Sequence, residues 1–557
     1  MTKGTAQASL GGAAAMARAQ ASRGTLQSLA SNSRVFGIAL FASFGGLLYG
    51  YQQGVLGQAL VMHRFGEDFP DIVASSGKQG WLTSILQLGG WAGALSAGVL
   101  CEIFTRKHTI FMGAMWAILG SFLTAGARNS GFLYAGRFFT GIGVGTLSGT
   151  GPLYNAELAP PEIRGVLVSM QQLATTIGIM VAYWIAYGSA YIGGTGEGQS
   201  SMAWRLPLIV QGIPAVILAI GVWFLPFSPR LFVNKGREEE ARQTLSKLRR
   251  LPADDPLVNI ELLEIKSESE FEKRSFEIRF PELAQKTRGR PLVREVAQYY
   301  NIFGIKDCFK RVALGSLIMF MQQWSGIDSI IYYAPIIFRS LGLDGRTISL
   351  LATGVVGVVN VITTVPAMLL LDKVGRKPLL ICGSAGMFLC QLIIEIIVAK
   401  CSHDWESYRA AGWGAVVMVW LYIVNFAYSW GPVSWVMIAE IFPLSIRAKG
   451  TTISASSNWM NNFIIAFITP PLLSDIEWGT YIFFSVWCVV GGLFVYFFLP
   501  ETKGKTLEEM DIVFGAQTSQ EDIALLAAVQ EEVGLTRALA SIGLDSAETT
   551  KPDVVHV

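Results

Sequence analysis

The chain has 557 residues, 52% of them hydrophobic and only 15% charged, with a formal net charge of +2. A soluble domain carries about 25% charged residues, so this balance argues against a water-soluble protein and for one whose solvent is lipid. The near-neutral charge gives no basis for nucleic-acid binding, and six cysteines with no CxxC spacing give none for a metal site or a disulfide framework.

Residues 1–34 are small and polar and lack a continuous apolar run, so they read as a disordered cytosolic tail and not as a signal peptide. A membrane-spanning helix needs roughly 20 apolar residues. Six such stretches follow at 35–56, 81–100, 108–127, 132–153, 165–190 and 204–225. Six more lie at 313–337, 348–371, 378–399, 413–437, 449–472 and 478–499. The expected organisation is a first six-helix bundle (35–225), a cytosolic linker with short helices (226–311), a second six-helix bundle (312–500) and a cytosolic tail (501–557). Runs such as NKGREEEARQTLSKLRR mark the linker as solvated helix, and Arg230, Lys235, Lys310 and Arg311 at its ends tip it and both termini to the inside.

The first span carries LYGYQQGVLG, with Gln52 and Gln53 deep in an apolar run. An amide there costs several kcal/mol if its donors and acceptors go unmet. Later spans repeat the theme. Gln172 lies in the fifth, and Gln322, Gln323, Asp328, Tyr332 and Tyr333 lie in the seventh. Asn360 is in the eighth, Phe426 and Trp435 in the tenth, and Asn458 and Asn462 in the eleventh, around Trp459. An amide donates and accepts without charge and so matches a sugar hydroxyl, while an aromatic face suits the C–H face of a pyranose. Taken singly, each amide is as well explained as glue between helices, and the tyrosines as interfacial belt residues. The joint pattern favours a binding site. Glu395, near an outer end, reads as a structural or snorkelling acid.

The two halves repeat one another at an offset of about 275 residues. AELAPPEIR (156–164) matches AEIFPLSIR (439–447), aligning Glu157 with Glu440 and Arg164 with Arg447. CEIFTRK (101–107) matches LDKVGRK (371–377), aligning Arg106 with Arg376 and Glu102 with Asp372, and FLPFSPR matches FLPETKG. Acids and bases at matched places suggest ion pairs that join the bundles on the inner side and break during a cycle. The plainer alternative is interfacial anchoring.

GRFFTGIGVG, PLYNAELAPPEIRG, QQWSGIDSIIYYAP, LDKVGRK, GPVSWVMIAEIFP, SNWMNN and PETKG occur in order over about residues 35–510. In these the chain resembles the sugar porters of the major facilitator superfamily, in a style similar to fungal members. The resemblance implies an all-α membrane protein with twelve transmembrane helices in two six-helix pseudo-repeats, no cofactor, and plasma-membrane transport of a small sugar by alternating access. It implies sugar contacts from Gln172, Gln322, Gln323, Asn360, Trp435 and Asn458, outer-gate roles for Tyr332 and Tyr333, and a bend of the tenth span at Gly431 and Pro432. Gln52 stands where proton-coupled members carry an acid. An amide does not titrate in the physiological range, so facilitative uniport is expected. The departures are Phe227 for an acid, Glu102 for aspartate, Thr105 for glycine, and Asp328 for asparagine. Asp328 keeps a proton symporter open as the alternative. A nutrient sensor with the same fold is a second alternative, although the tail after Gly515, with a candidate amphipathic helix, is short for one. No nucleophile–histidine arrangement or phosphate loop supports an enzyme. The partners expected are the sugar and the bilayer, and a monomer is the working expectation.

Overall fold

Helices form where the apolar runs are. In the computed structural model the first span is Ser33–Ala42 continuing as Phe44–Leu60, and the next four are Ser76–Ile103, Arg106–Ala125, Ser130–Leu158 and Arg164–Ser189. The sixth is Met202–Val210 continuing as Gly212–Gly221. The seventh is Lys306–Trp324 with Ile327–Ser340, followed by Arg346–Val374 and Arg376–Cys401. The tenth is Arg409–Tyr428 with Trp430–Glu440, and Arg447–Asp475 and Gly479–Phe498 complete the set. The structure describes residues 33–159, 164–286, 293, 296, 299, 302–304, 306–342, 346–442, 446–503 and 517–541, and these contain no strand. The expected N-terminal tail lies outside the described residues.

Among the described residues, eight helices are apolar and long enough to cross a membrane. The fourth, fifth, seventh and eleventh spans are less apolar. They carry glycines, amides and hydroxyls that face other helices, where lipid does not set the composition. The second and fourth spans show what such residues do. A Cβ added at Gly141 or Gly145 would lie 2.1 or 2.0 Å from the backbone oxygen of Leu86 or Gly90, so the glycines of GRFFTGIGVG let two helices pack backbone to backbone. Across the halves, the second span packs on the eleventh, the fifth on the eighth, and the outer segment of the seventh on the first.

Two spans are broken in ways that matter below. In the seventh, Gly326 has φ 94 and Tyr333 leaves helical geometry at φ −119, two residues before Pro335. Pro335 has no N–H for the Ile331 carbonyl. The Tyr183 hydroxyl of the fifth span donates to that carbonyl instead, at 2.6 Å. In the tenth, the break expected at Gly431 and Pro432 falls earlier, at Ser429 (φ −118, ψ −95). Proline is tolerated in a first helical turn, where its N–H is not needed. Pro432 therefore sits inside the new segment, and the chain breaks before it.

At the linker end, helices Pro229–Asn234, Glu238–Arg249, Pro256–Arg279 and Pro281–Lys286 follow the sixth span. Arg249 pairs with Glu261 and also donates to the Leu158 carbonyl at 3.0 Å, tying the linker to the fourth span. The expected amphipathic tail forms helices Gln517–Val533 and Leu535–Ala540. They dock on Pro256–Arg279 through Arg274–Glu532 (2.6 Å), Arg279–Asp522 (2.6 Å), and Leu535 and Leu539 packed against Ile260.

Candidate functional site

The seventh, tenth and eleventh spans meet through amides. Gln322 donates from Nε2 to the Trp430 carbonyl at 2.8 Å and to the Gly431 carbonyl at 3.3 Å, just past the break in the tenth span. Its Oε1 accepts from Asn458 Nδ2 at 2.7 Å. Both predicted sugar-contacting amides are thus also engaged in bracing the broken helix.

One turn further along, Asn462 Nδ2 donates to Asp328 Oδ2 at 2.5 Å, and Asn462 Oδ1 accepts from the Tyr332 hydroxyl at 2.9 Å. Gln323 also bonds to the Asp328 carboxylate, while its own Oε1 is buried with no partner. Tyr332 in turn receives Gln53 Nε2 of the first span at 3.4 Å, and the same nitrogen donates to Tyr49 at 3.0 Å. With its amide turned to donate to the carbonyls of Thr83 and Ser84, Gln87 of the second span places its Oε1 2.9 Å from the Tyr332 hydroxyl. Tyr332 therefore joins both halves through neutral groups.

Other predicted site residues are left with polar capacity to spare. Gln172 is half-buried, Asn360 is 6% exposed, and among the described residues neither side chain has a hydrogen-bond partner. Trp435 and Phe426 are half-buried, with the Phe426 ring against Gly431. Gln52 is 1% exposed and its Nε2 has no partner.

Toward the end away from the linker the halves close on one another. A Cβ on Gly57 would lie 1.9 Å from the Tyr332 carbonyl, so the first and seventh spans touch backbone to backbone there. Arg339 reaches across to the Val61 carbonyl at 2.9 Å, a cation on a helix C-terminus. Tyr332 and Tyr333 are both buried, and Tyr333 donates to the Ala466 carbonyl at 2.7 Å. Trp91 donates to Ser456 at 2.8 Å, and Tyr49 lies 5.1 Å from Trp459, ring centre to ring centre.

At the linker end, Arg106 pairs with Glu157 at 2.9 Å and Arg376 with Glu440 at 2.9 Å. Each pair lies inside one half, where the sequence suggested bonds between halves. The short loop between neighbouring spans holds each arginine beside the acid of its own repeat. The side chains of Arg164 and Asp372 lie outside the described residues, and Arg447 is half-buried. Glu501 accepts from the backbone N–H groups of Arg376 (3.0 Å) and Lys377 (2.9 Å), so PETKG caps the ninth span. Burial alone would push the Glu501 carboxyl up, but bonds from the backbone of Lys503, Arg376, Lys377 and Thr502 hold it below its ordinary range. The first half has Phe227 in place of this acid. There Lys107 lies 4.8 Å from the Phe227 ring and donates to the Trp223 and Leu225 carbonyls at 2.8 and 3.0 Å.

Sequence reasoning passed over Tyr49, Gln87, Tyr183 and Arg137 as site residues, and singled out Gln53 without giving it a role. Arg137 was open to detection, since an ionisable side chain within a span is a functional candidate by default. It is 1% exposed, donates to the Leu82 and Thr83 carbonyls at 3.3 and 3.4 Å, and has no partner at Nη1.

Comparison with known proteins gives one consistent result. Residues 38–514 match the family model described as sugar (and other) transporter. The chain is 34% identical over 497 residues to a protein named probable quinate permease from Aspergillus niger, covering 87% of this chain and 89% of that one. It is also 34% identical over 490 residues to sugar transport protein 7 of Arabidopsis thaliana, covering 85% and 89%. Among solved structures, the proton:xylose symporter XylE bound to 6-bromo-6-deoxy-D-glucose aligns with a TM-score of 0.68 at 29% identity, covering 86% of this chain and 99% of that one.

Proposed function

The chain belongs to the sugar porter family of the major facilitator superfamily, and on that premise we propose that it moves a monosaccharide, a hexose or a close relative, by facilitative uniport. It is an integral membrane transporter built on the twelve-helix fold of that superfamily, and not an enzyme. The observation that carries the substrate reading is the polar set at the junction of the halves. Gln172 and Asn360 keep free amide capacity among the described residues, Trp435 presents a half-buried ring, and Gln322 is bonded to Asn458. Donors and acceptors without charge, next to an aromatic face, suit a pyranose. Phe426, Asn462 and Asp328 complete the set.

The cycle proposed is alternating access between the bundle 35–225 and the bundle 312–500. Tyr332 and Tyr333 form the gate away from the linker, and the break before Gly431 and Pro432 lets the tenth span bend. The Arg106–Glu157 and Arg376–Glu440 pairs, with Arg164, Asp372 and Arg447, govern the linker end, which faces the cytosol along with both termini in the plasma membrane. Uniport is supported by Gln52, because linkage to protons needs a group whose protonation changes sugar affinity. The quinate permeases among the relatives make a cyclic polyol acid the second substrate reading. Counterflow of labelled sugars into proteoliposomes tests the proposal. Exchange with at least one monosaccharide supports it, and exchange with none, by protein shown to be folded, removes it.

A further inference from the structure

We propose that Tyr183 is a positioning residue of the transport cycle: from the first half of the chain it holds the broken seventh span in the closed arrangement of the gate, by donating to the helix carbonyl that Pro335 leaves unserved. This rests on the reading of Tyr332 and Tyr333 as the gate away from the linker.

A proline creates the need. In a regular helix the N–H of residue 335 bonds to the carbonyl of residue 331, and Pro335 has no N–H. Ile331 is 5% exposed and lies within a buried run, where a carbonyl without a donor is costly. The Tyr183 hydroxyl supplies the donor at 2.6 Å, from the opposite half. Tyr183 is itself 0% exposed, and glycines hold its ring on opposite edges. A Cβ on Gly54 of the first span would lie 3.1 Å from its Cε1, and a Cβ on Gly357 of the eighth span 3.1 Å from its Cδ2. One glycine belongs to each half, so the packing of the closed halves aims the hydroxyl.

The bond favours one state over the other. Two successive carbonyls of the seventh span face the first half, Ile331 toward Tyr183 and Tyr332 toward Gly57. When the halves part on this face, Tyr183 withdraws and water serves the Ile331 carbonyl. A contact made in the closed state alone shifts the equilibrium toward that state. Removing the donor strands the carbonyl only while the gate is shut, which moves the equilibrium about 5–150-fold toward opening.

The test is backbone hydrogen exchange over Ile327–Ser340 in the full chain, together with turnover and sugar binding in proteoliposomes. Tyr183→Phe keeps the ring and removes only the hydroxyl. Exchange in this segment should quicken about fivefold or more, and turnover should fall more than sugar binding. Pro335→Ala isolates the carbonyl, because it returns an N–H to position 335. In that background Tyr183→Phe should change exchange and turnover by less than about twofold. The same effect of Tyr183→Phe in both backgrounds, or none in either, overturns the inference. Failure of Tyr183→Phe to fold, repaired by Pro335→Ala, supports it, and failure in both backgrounds overturns it. Exchange is read without sugar. A folded chain that carries no sugar therefore removes the transport reading, while the exchange rates of the four chains still decide whether Tyr183 holds the break.

Discussion

Asn360→Ala and Gln322→Ala should separate the two jobs that amides do in this protein. Among the described residues the Asn360 side chain has no hydrogen-bond partner, so its removal strands none of them. If it serves a sugar hydroxyl, that hydroxyl loses its partner in a dry site, at about 1–3 kcal/mol, or roughly 5–150-fold in affinity. Gln322 differs, because it holds the Trp430 and Gly431 carbonyls and the Asn458 amide. Truncating it takes a bond from three buried groups, and at about 1–3 kcal/mol for each group left without one the fold should lose roughly 3 kcal/mol or more. Equilibrium binding and thermal unfolding, measured on the same preparations, read both quantities. Asn360→Ala should weaken sugar binding with an unchanged midpoint, and Gln322→Ala should weaken binding and lower the midpoint. Unchanged affinity in Asn360→Ala would refute the site assignment, and equal midpoints would refute the bracing role of Gln322.

Gly57→Ala puts a methyl group 1.9 Å from the Tyr332 carbonyl in this structure, so it should block closure away from the linker. Transport should fall at least tenfold, while a thiol probe on that face gains access, and normal turnover would count against the closure. Arg447→Ala should lower turnover more than sugar binding by biasing the conformational equilibrium, and equal losses in both would indicate a folding role instead. Glu501 has its carboxyl held down in the folded protein, so its stabilisation is present above the ordinary carboxylate range and lost as pH falls through the lower folded value. Glu501→Gln should therefore lower the unfolding midpoint at pH about 7, and that difference should shrink progressively as pH falls below the ordinary glutamate value of about 4.3. A difference that persists unchanged in acid would rule out the capping charge.

The spans were legible because lipid demands long apolar runs, and the repeat was legible because both halves bury the same loops. The position of the tenth-span break was not. Gly431 and Pro432 advertise a bend, but a proline in a first turn costs nothing, so the chain breaks at Ser429. The use made of Gln322 was also hidden, since bonding backbone carbonyls of another helix depends on which faces meet, and no spacing within one helix reports that. Tyr183 is the clearest case. Pro335 announces an orphaned carbonyl at Ile331, yet only the packing of the fifth span on the seventh says which side chain answers it. Conversely, the matched acids and bases pointed to pairing between halves, while Arg106–Glu157 and Arg376–Glu440 close within each repeat.

The most direct test of the account is uptake of a labelled monosaccharide into proteoliposomes holding an imposed inward proton gradient. With Gln52 in place of an acid, sugar should enter, exchange by counterflow, and level off at the external concentration whether or not the gradient is present. Accumulation above that concentration, abolished by an uncoupler and by Asp328→Asn, would contradict uniport and make Asp328 the proton carrier.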